Sequence, residues 1–198
     1  MDVIPEIIHL QAGSQEAFRQ LVKAYQQMVY NTSLGILQQE ADAEDITQEV
    51  FISIFQHIKD FRAGSALSTW IYRITVNKCM EYIRYKNRRR RISAVIRRFV
   101  GSSVRLSEET ADFVHPGVRL QNKELATQLF RAMARLPARQ NSAFVLHKIE
   151  GLSYQEVGEV LGLSVSSVES LLFRAKKNLQ TLLGAFYDEF REDRGFLY

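Results

Sequence analysis

Eight cations and no acid occupy fifteen consecutive positions: Arg84, Lys86, Arg88, Arg89, Arg90, Arg91, Arg97 and Arg98. Residues 1–83 hold ten acids and six bases, and residues 99–198 balance at twelve of each, so the net charge of +4 conceals one concentrated positive segment. Such a segment suits a polyanion, nucleic acid first among them. Just upstream, Phe61 and Trp70 flank a small polar loop that includes Arg62, Ser65 and Thr69. On a helical wheel Trp70, Arg73, Asn77 and Arg84 share a stripe about 60° wide. A ring, cations and an amide on one stripe could hold an unpaired base, because stacking supplies about 1–3 kcal/mol per base and cations track the phosphates. A lone tryptophan is also a common core residue, and pattern alone leaves that alternative open. Four phosphate contacts would give a salt slope of about −3.6 and little sequence information, so sequence must be read by Asn77, by the loop 63–68 or elsewhere.

A second face lies in DAEDITQEVFISIFQ. Ile46, Val50, Phe51, Ile54, Phe55 and Ile58 fall on the arc expected to be buried, while Asp45, Gln48, Glu49 and Gln56 surround Ile52 on the other. An apolar side chain within a charged rim fits a protein-docking surface, and it fits equally a solvated face with one stray isoleucine.

A third lies in GLSYQEVGEVLGLSVSSVESLLFRAKKNL, which has helix-turn-helix spacing. Gly158 is small where two helices cross, Gly162 marks the turn, and Ser153 and Ser164 stand at cap positions. Val168, Leu171, Leu172, Ala175 and Leu179 form one arc of the second helix, with Ser166, Ser167, Ser170, Arg174 and Lys177 opposite. Short hydroxyls followed by cations suit entry into a major groove, and an ordinary solvated helix face shows the same pattern.

The elements that must position these residues read as helices throughout. Three prolines and recurrent three- and four-residue apolar spacing predict helices over 14–37, 43–58, 68–91, 122–136, 138–150, 154–161 and 165–190. Weak periodicity and the turn-prone HPG make 93–117 a linker, able to stretch roughly 80 Å. The expected fold is all-α: two small helical domains joined by a flexible linker, the C-terminal one a helix-turn-helix. Residues 1–92, 93–120 and 121–198 are the first domain, linker and second domain. An apolar content of 46% is enough for a core. No run matches the roughly 18 apolar residues of a membrane span, and the start MDVIPEIIHL lacks a basic signal region, so a cytoplasmic chain without membrane insertion is expected. A single cysteine, Cys79, and the dispersed His9, His57, His115 and His147 give no support to a metal, and no cofactor is expected.

The order DAEDITQEVF, FRAGSALSTWIYRITVN, basic helix end, linker and LPARQNSAFVLHKIEGLSYQEVGEVLGLSVSSVESLLFRAKKNL resembles the sigma-70 family, in particular its short extracytoplasmic-function (ECF) group, which keeps the second and fourth conserved regions. The resemblance implies a promoter-specificity subunit of bacterial RNA polymerase, not an enzyme. It implies that Asp45, Gln48, Glu49, Ile52 and Gln56 dock on the clamp of the core polymerase. Phe61, Arg62, Ser65, Thr69, Trp70, Arg73 and Asn77 would hold the melted −10 strand, and Arg84, Lys86, Arg88, Arg89, Arg90 and Arg91 its backbone. Ser166, Ser167, Ser170, Arg174 and Lys177 would meet the −35 duplex, in a domain that also binds the polymerase flap. An anti-sigma factor or another recruiting protein is a further expected partner. Glu169 and Leu171 depart from the family, whose recognition helices often carry cations there, which weakens the expected upstream contact. Two other classes compete. A stand-alone helix-turn-helix regulator leaves the aromatic loop and arginine block without a task. A DNA-processing enzyme needs a carboxylate cluster, and the dense acids Asp42, Glu44 and Asp45 are better explained by docking.

Overall fold

The computed structural model describes residues 7–62, 64–100 and 123–193, with side chains placed for 7–62, 64–94 and 126–184. Most of the expected linker and Ala63 of the expected reading loop lie outside these residues. Every regular element among the described residues is helical: α1 (Ile7–Gln11), α2 (Gln15–Leu37), α3 (Glu40–His57), α4 (Leu67–Val100), α5 (Lys123–Ala134), α6 (Ala138–Phe144), α7 (Tyr154–Leu161) and α8 (Val165–Asp193), with short 3-10 and π turns over Ile58–Asp60 and Val145–Ile149. No described helix is long and apolar enough to cross a membrane.

In the N-terminal half α2, α3 and α4 pack together around Leu21, Val29, Val50, Ile54, Ile71 and Cys79, all fully buried. Ser14 starts α2 by accepting from the Ala17 N–H at 3.2 Å, one of the donors a helix start leaves unpaired. In the C-terminal half α5, α6 and α7 pack on α8 or its neighbours around Phe130, Met133, Leu146, Val157 and Val168. Each element buries one arc, as the apolar spacing requires.

The two halves touch directly. α7 lies against α4, and α2 lies against α5, α6 and the π turn. Tyr72 donates its hydroxyl to Glu150 Oε2 at 3.0 Å, Arg73 Nη2 to the Glu159 carbonyl at 2.7 Å, and Asn141 Nδ2 to the Ile36 carbonyl at 3.0 Å. Burial pushes the Glu150 carboxyl above its usual range, with the Tyr72 hydrogen bond opposing part of that shift.

Several expectations change. α4 does not end at Arg91 but continues through Val100, so residues 93–100, expected in the linker, are helical. The helix expected over 138–150 widens into a π turn at Val145–Ile149. Phe55, expected in the core, is 56% exposed and meets Phe18 edge-on with ring centroids 5.1 Å apart.

The helix crossing inside the C-terminal half leaves no room for a larger residue. A Cβ at Gly158 would stand 2.7 Å from the Leu163 carbonyl oxygen, a backbone atom that cannot rotate away. Gly158→Ala should therefore lower unfolding stability by about 1–3 kcal/mol. Chemical denaturation checks this, and an unchanged midpoint would contradict the packing at that crossing.

Candidate nucleic-acid and docking surfaces

The aromatic loop is built from beneath. Phe61 is buried, and its ring lies 5.2 Å from that of Trp70 at a tilt of 52°. Gln11 of α1 donates to the Phe61 carbonyl at 2.8 Å and to that of Ile58 at 3.3 Å, bracing the turn that leads into the loop. Trp70 is half-buried, so one part of its ring is available to solvent. Phe61 and Thr69, expected at the strand, are instead buried supports, whereas Arg62, Arg73, Asn77 and Arg84 are exposed and Ser65 half-exposed. The stripe thus offers a half-buried ring, an amide and cations in one line, the combination that single strands require.

At the far end of α4, Arg88, Arg89, Arg90 and Arg91 project into solvent, with Arg89 over the Tyr85 ring at 5.8 Å. Lys86 differs from them. Its ammonium meets Asp42 at 2.7 Å and donates to Gln39 Oε1 at 2.9 Å, so the start of α3 already holds it. Tyr82 donates to the same Asp42 at 2.6 Å, and burial with that carboxylate pushes its phenol up. Lys86 therefore joins α3 to α4 in this state, a use that charge counting missed. The side chains of Arg97 and Arg98 lie outside those described.

On α3, Asp45, Gln48, Glu49 and Gln56 are exposed around Ile52, itself 57% exposed. Glu49 sits 3.5 Å from Lys78, a partly solvated pair of the sort worth at most about 1 kcal/mol. The exposed Phe55 adds a second apolar group beside Ile52. On the wheel it stands at the edge of the buried arc, about 20° from exposed Gln48.

The helix-turn-helix follows its sequence closely. Ser153 and Glu156 form a reciprocal capping box, with the Ser153 N–H donating to Glu156 Oε2 at 2.8 Å. Hydrogen bonds from Ser153 hold the Glu156 carboxyl below its usual range. Gly162 takes a left-handed φ of 65° at the turn, and Ser164 accepts from the Ser167 N–H at 3.3 Å to open α8. Val168, Leu171, Leu172, Ala175 and Leu179 are buried, leaving Ser166, Ser170, Arg174 and Lys177 exposed and Ser167 half-exposed. Sequence reasoning passed over Phe173, which is 71% exposed on the face of α8 that also carries Glu169, Ser170 and Arg174. Its position about 140° from Val168 around the helix was the signal that could have found it. Among the described residues no group of three or more His, Cys, Asp or Glu side chains is arranged to hold a metal ion.

Residues 21–90 match the family described as sigma-70 region 2, and residues 126–179 match sigma-70, region 4. The ECF RNA polymerase sigma factor SigW of Bacillus subtilis is 30% identical over 92% of this chain and 97% of its own. The ECF RNA polymerase sigma-E factor of Escherichia coli K12 is also 30% identical, over 85% of this chain and 87% of its own. Among solved structures, the sigma factor RpoE from Bartonella quintana, in complex with the anti-sigma factor NepR, superposes with a TM-score of 0.66 at 22% identity, covering 84% of this chain and 96% of that one. CnrH in complex with the cytosolic domain of CnrY gives 0.64 at 24%, covering 90% and 95%. At these identities the structures support the fold.

The layering of the aromatic pair separates support from contact. Phe61→Ala should cost about 3–5 kcal/mol of stability, as removal of a buried ring does. Arg62→Ala, at an exposed position, should stay within about 0.5 kcal/mol of the parent. Comparable losses in thermal denaturation would contradict the assignment of Phe61 as the floor of the loop.

Proposed function

Because this chain belongs to the extracytoplasmic-function group of the sigma-70 family, we propose that it binds core RNA polymerase and directs promoter recognition, strand opening and transcription initiation, as a specificity factor and not an enzyme. Residues 1–92 dock on the polymerase and engage the −10 element. Residues 93–120 connect, and residues 121–198 meet the −35 element and the polymerase flap. The observation that carries this reading is the single line on α4 that runs from Trp70, backed by Phe61, through exposed Arg73 and Asn77 to the arginine end.

The chemistry follows from that line. A duplex base must leave its stack to be read here, at a cost of a few kcal/mol. Stacking on Trp70 and hydrogen bonds from Asn77 offset that cost, while Arg62, Arg73 and Arg84 neutralise phosphates on the opened strand. Opening is thus driven by binding energy and needs no nucleotide hydrolysis by this chain. Phe61 and Thr69 act from below, by holding Trp70 and the helix start in place. Ile52 and Phe55 form the apolar centre of the polymerase-docking face, and Asp45, Gln48, Glu49 and Gln56 its polar rim, an arrangement typical of protein interfaces.

On α8, Ser166, Ser167 and Ser170 admit the helix to the groove, and Arg174 and Lys177 reach phosphates. Phe173 suits a thymine methyl, and Glu169 suits the amino group of cytosine while repelling phosphate. Upstream DNA contact is accordingly weak and depends on the polymerase or a recruiting protein. An anti-sigma factor as a further partner rests on family membership.

Two measurements test this reading. Asp45→Lys with Glu49→Lys should abolish co-purification with core polymerase while leaving thermal stability near that of the parent, and retained binding would refute the docking face. Trp70→Ala and Asn77→Ala should each keep core binding but reduce permanganate-detected strand opening at least tenfold on a promoter found by run-off transcription from a genomic fragment library. Undiminished opening would refute the −10 assignment.

A further inference from the structure

The first turn of α3 is tied to α4 by directed bonds. Asp42 accepts from the Tyr82 hydroxyl at 2.6 Å through Oδ1 and from the Lys86 ammonium at 2.7 Å through Oδ2, so α4 engages both of its carboxylate oxygens. Lys86 also donates to Gln39 Oε1 at 2.9 Å and stands 5.6 Å from the centre of the Tyr82 ring. Gln39 is the cap residue of α3, and its side chain makes no capping hydrogen bond to that helix. The start of α3 is therefore placed by the neighbouring helix and not by a local side-chain cap.

The edge of α3 that α4 holds is the edge that carries the docking acids. On the wheel Asp45 and Glu49 stand about 60° and 20° from Asp42, and at 1.5 Å per residue they lie roughly 4.5 and 10 Å further along the helix. Glu49 meets Lys78 of α4 at 3.5 Å, so the two helices run antiparallel along this edge, with the Asp42 cluster at one end and the Glu49 pair at the other. Burial of Ala43, Ile46 and Val50 joins α3 to the core, but apolar contact is non-directional. The hydrogen bonds at Asp42 fix the tilt that it leaves open. Binding surfaces need their groups held within about 0.5 Å, and a shift of the first turn would carry Asp45 and Glu49 with it.

Lys86 is correspondingly ill placed for DNA. It is half-buried, whereas Arg88, Arg89, Arg90 and Arg91 are exposed. A phosphate on its ammonium would stand beside the Asp42 carboxylate and take away the cation that compensates that partly buried charge.

We propose that Lys86 is a positioning residue for polymerase docking and not a DNA contact: through Asp42 and Tyr82 it sets how α3 presents Asp45 and Glu49. It touches neither partner itself. The proposal rests on the polymerase reading above for the use of the α3 face, while the assignment of Lys86 to α3 and not to phosphate can be tested without polymerase.

The experiment uses the full chain carrying Lys86→Met, Lys86→Arg, Asp42→Asn or Tyr82→Phe, and the double variant of Lys86→Met with Asp42→Asn. Affinity for purified core polymerase is measured beside the salt dependence of binding to a mixed-sequence single-stranded DNA 15-mer. Lys86→Met and Asp42→Asn should each weaken core binding about three- to tenfold, and the double variant should be no weaker than the worse of the two, because both changes break one pair. Tyr82→Phe should weaken it about two- to threefold, as loss of one hydrogen bond does. Lys86→Arg keeps a cation for Asp42 and should stay within about twofold of the parent. The DNA salt slope of Lys86→Met should equal that of the parent, whereas loss of a true phosphate contact, as expected for Arg88→Gln, makes it shallower by about 0.7. Circular dichroism checks folding, and Tyr82→Phe, which removes a single oxygen, decides the matter where another variant loses helicity. Parent-like core binding in Lys86→Met and Tyr82→Phe, additive losses in the double variant, or a Lys86→Arg chain as weak as Lys86→Met would overturn the positioning role. A Lys86→Met slope shallower by about 0.7 would return Lys86 to the DNA. A parent that does not bind core refutes the polymerase reading instead. Urea denaturation then decides the residue: coupled stabilities of Lys86→Met and Asp42→Asn with an unchanged slope support its link to α3, and additive stabilities with a shallower slope overturn it.

Discussion

Burial of Ile71, Thr75, Val76 and Cys79 fixes the rotation of α4, and what the chain offers to nucleic acid follows from that angle. At 100° per residue these four side chains span about 140° of the helix, and the stripe of Trp70, Arg73, Asn77 and Arg84 lies on the far side. The lock is apolar apart from Thr75, which returns its hydroxyl to the Ile71 carbonyl at 2.9 Å and leaves no polar group unpaired. Cys79 belongs to the same lock. Burial pushes its thiol up to about 12, so it serves as a small packing group and not as a nucleophile. A change in any of these residues would rotate the ring, the amide and the cations together.

The same economy governs the other faces. α3 and α8 each spend one arc on the core, and the residual arc is what a partner can meet. On α8 the turn that sets this arc depends on Gly158, which the Leu163 carbonyl touches, and on Gly162, whose left-handed φ costs a side chain more than it costs glycine. Caps from Ser153 and Ser164 then fix where the two helices begin. Four small residues therefore determine how α8 is presented, although none of them belongs to the apolar core of that helix.

Much of this was legible in sequence because it depends on local periodicity. The buried arc of α8, both serine caps, the exposed Ile52 and the exposed Arg73 and Asn77 follow from helical geometry alone. What escaped depends on the third dimension. Lys86 looked like the arginines beside it until α3 brought Asp42 within 2.7 Å. Phe61 and Thr69 looked like loop contacts, but both are buried, Phe61 at the turn braced by Gln11 and Thr69 in the first turn of α4. Phe55 falls on the apolar arc of a wheel, yet it leaves the core to meet Phe18. The extension of α4 beyond Arg91 was hidden by the arginine run, which reads as a helix end although arginine is a good helix former.

The seam between the halves joins hydrogen bonds to a hydrophobic core that runs through both. Tyr72, Arg73, Glu150 and Asn141 add directed hydrogen bonds across it. Glu150 illustrates the balance. Burial raises the pKa of its carboxyl, so the charged form is less favoured in the folded chain than in water. The fold is accordingly favoured where Glu150 is protonated, and that preference is lost as pH rises through the raised value. The hydroxyl of Tyr72 limits that penalty without abolishing it. Arg73 stands at the same boundary with the neutral Glu159 carbonyl as its acceptor, and a phosphate is a stronger acceptor for a guanidinium than a neutral carbonyl.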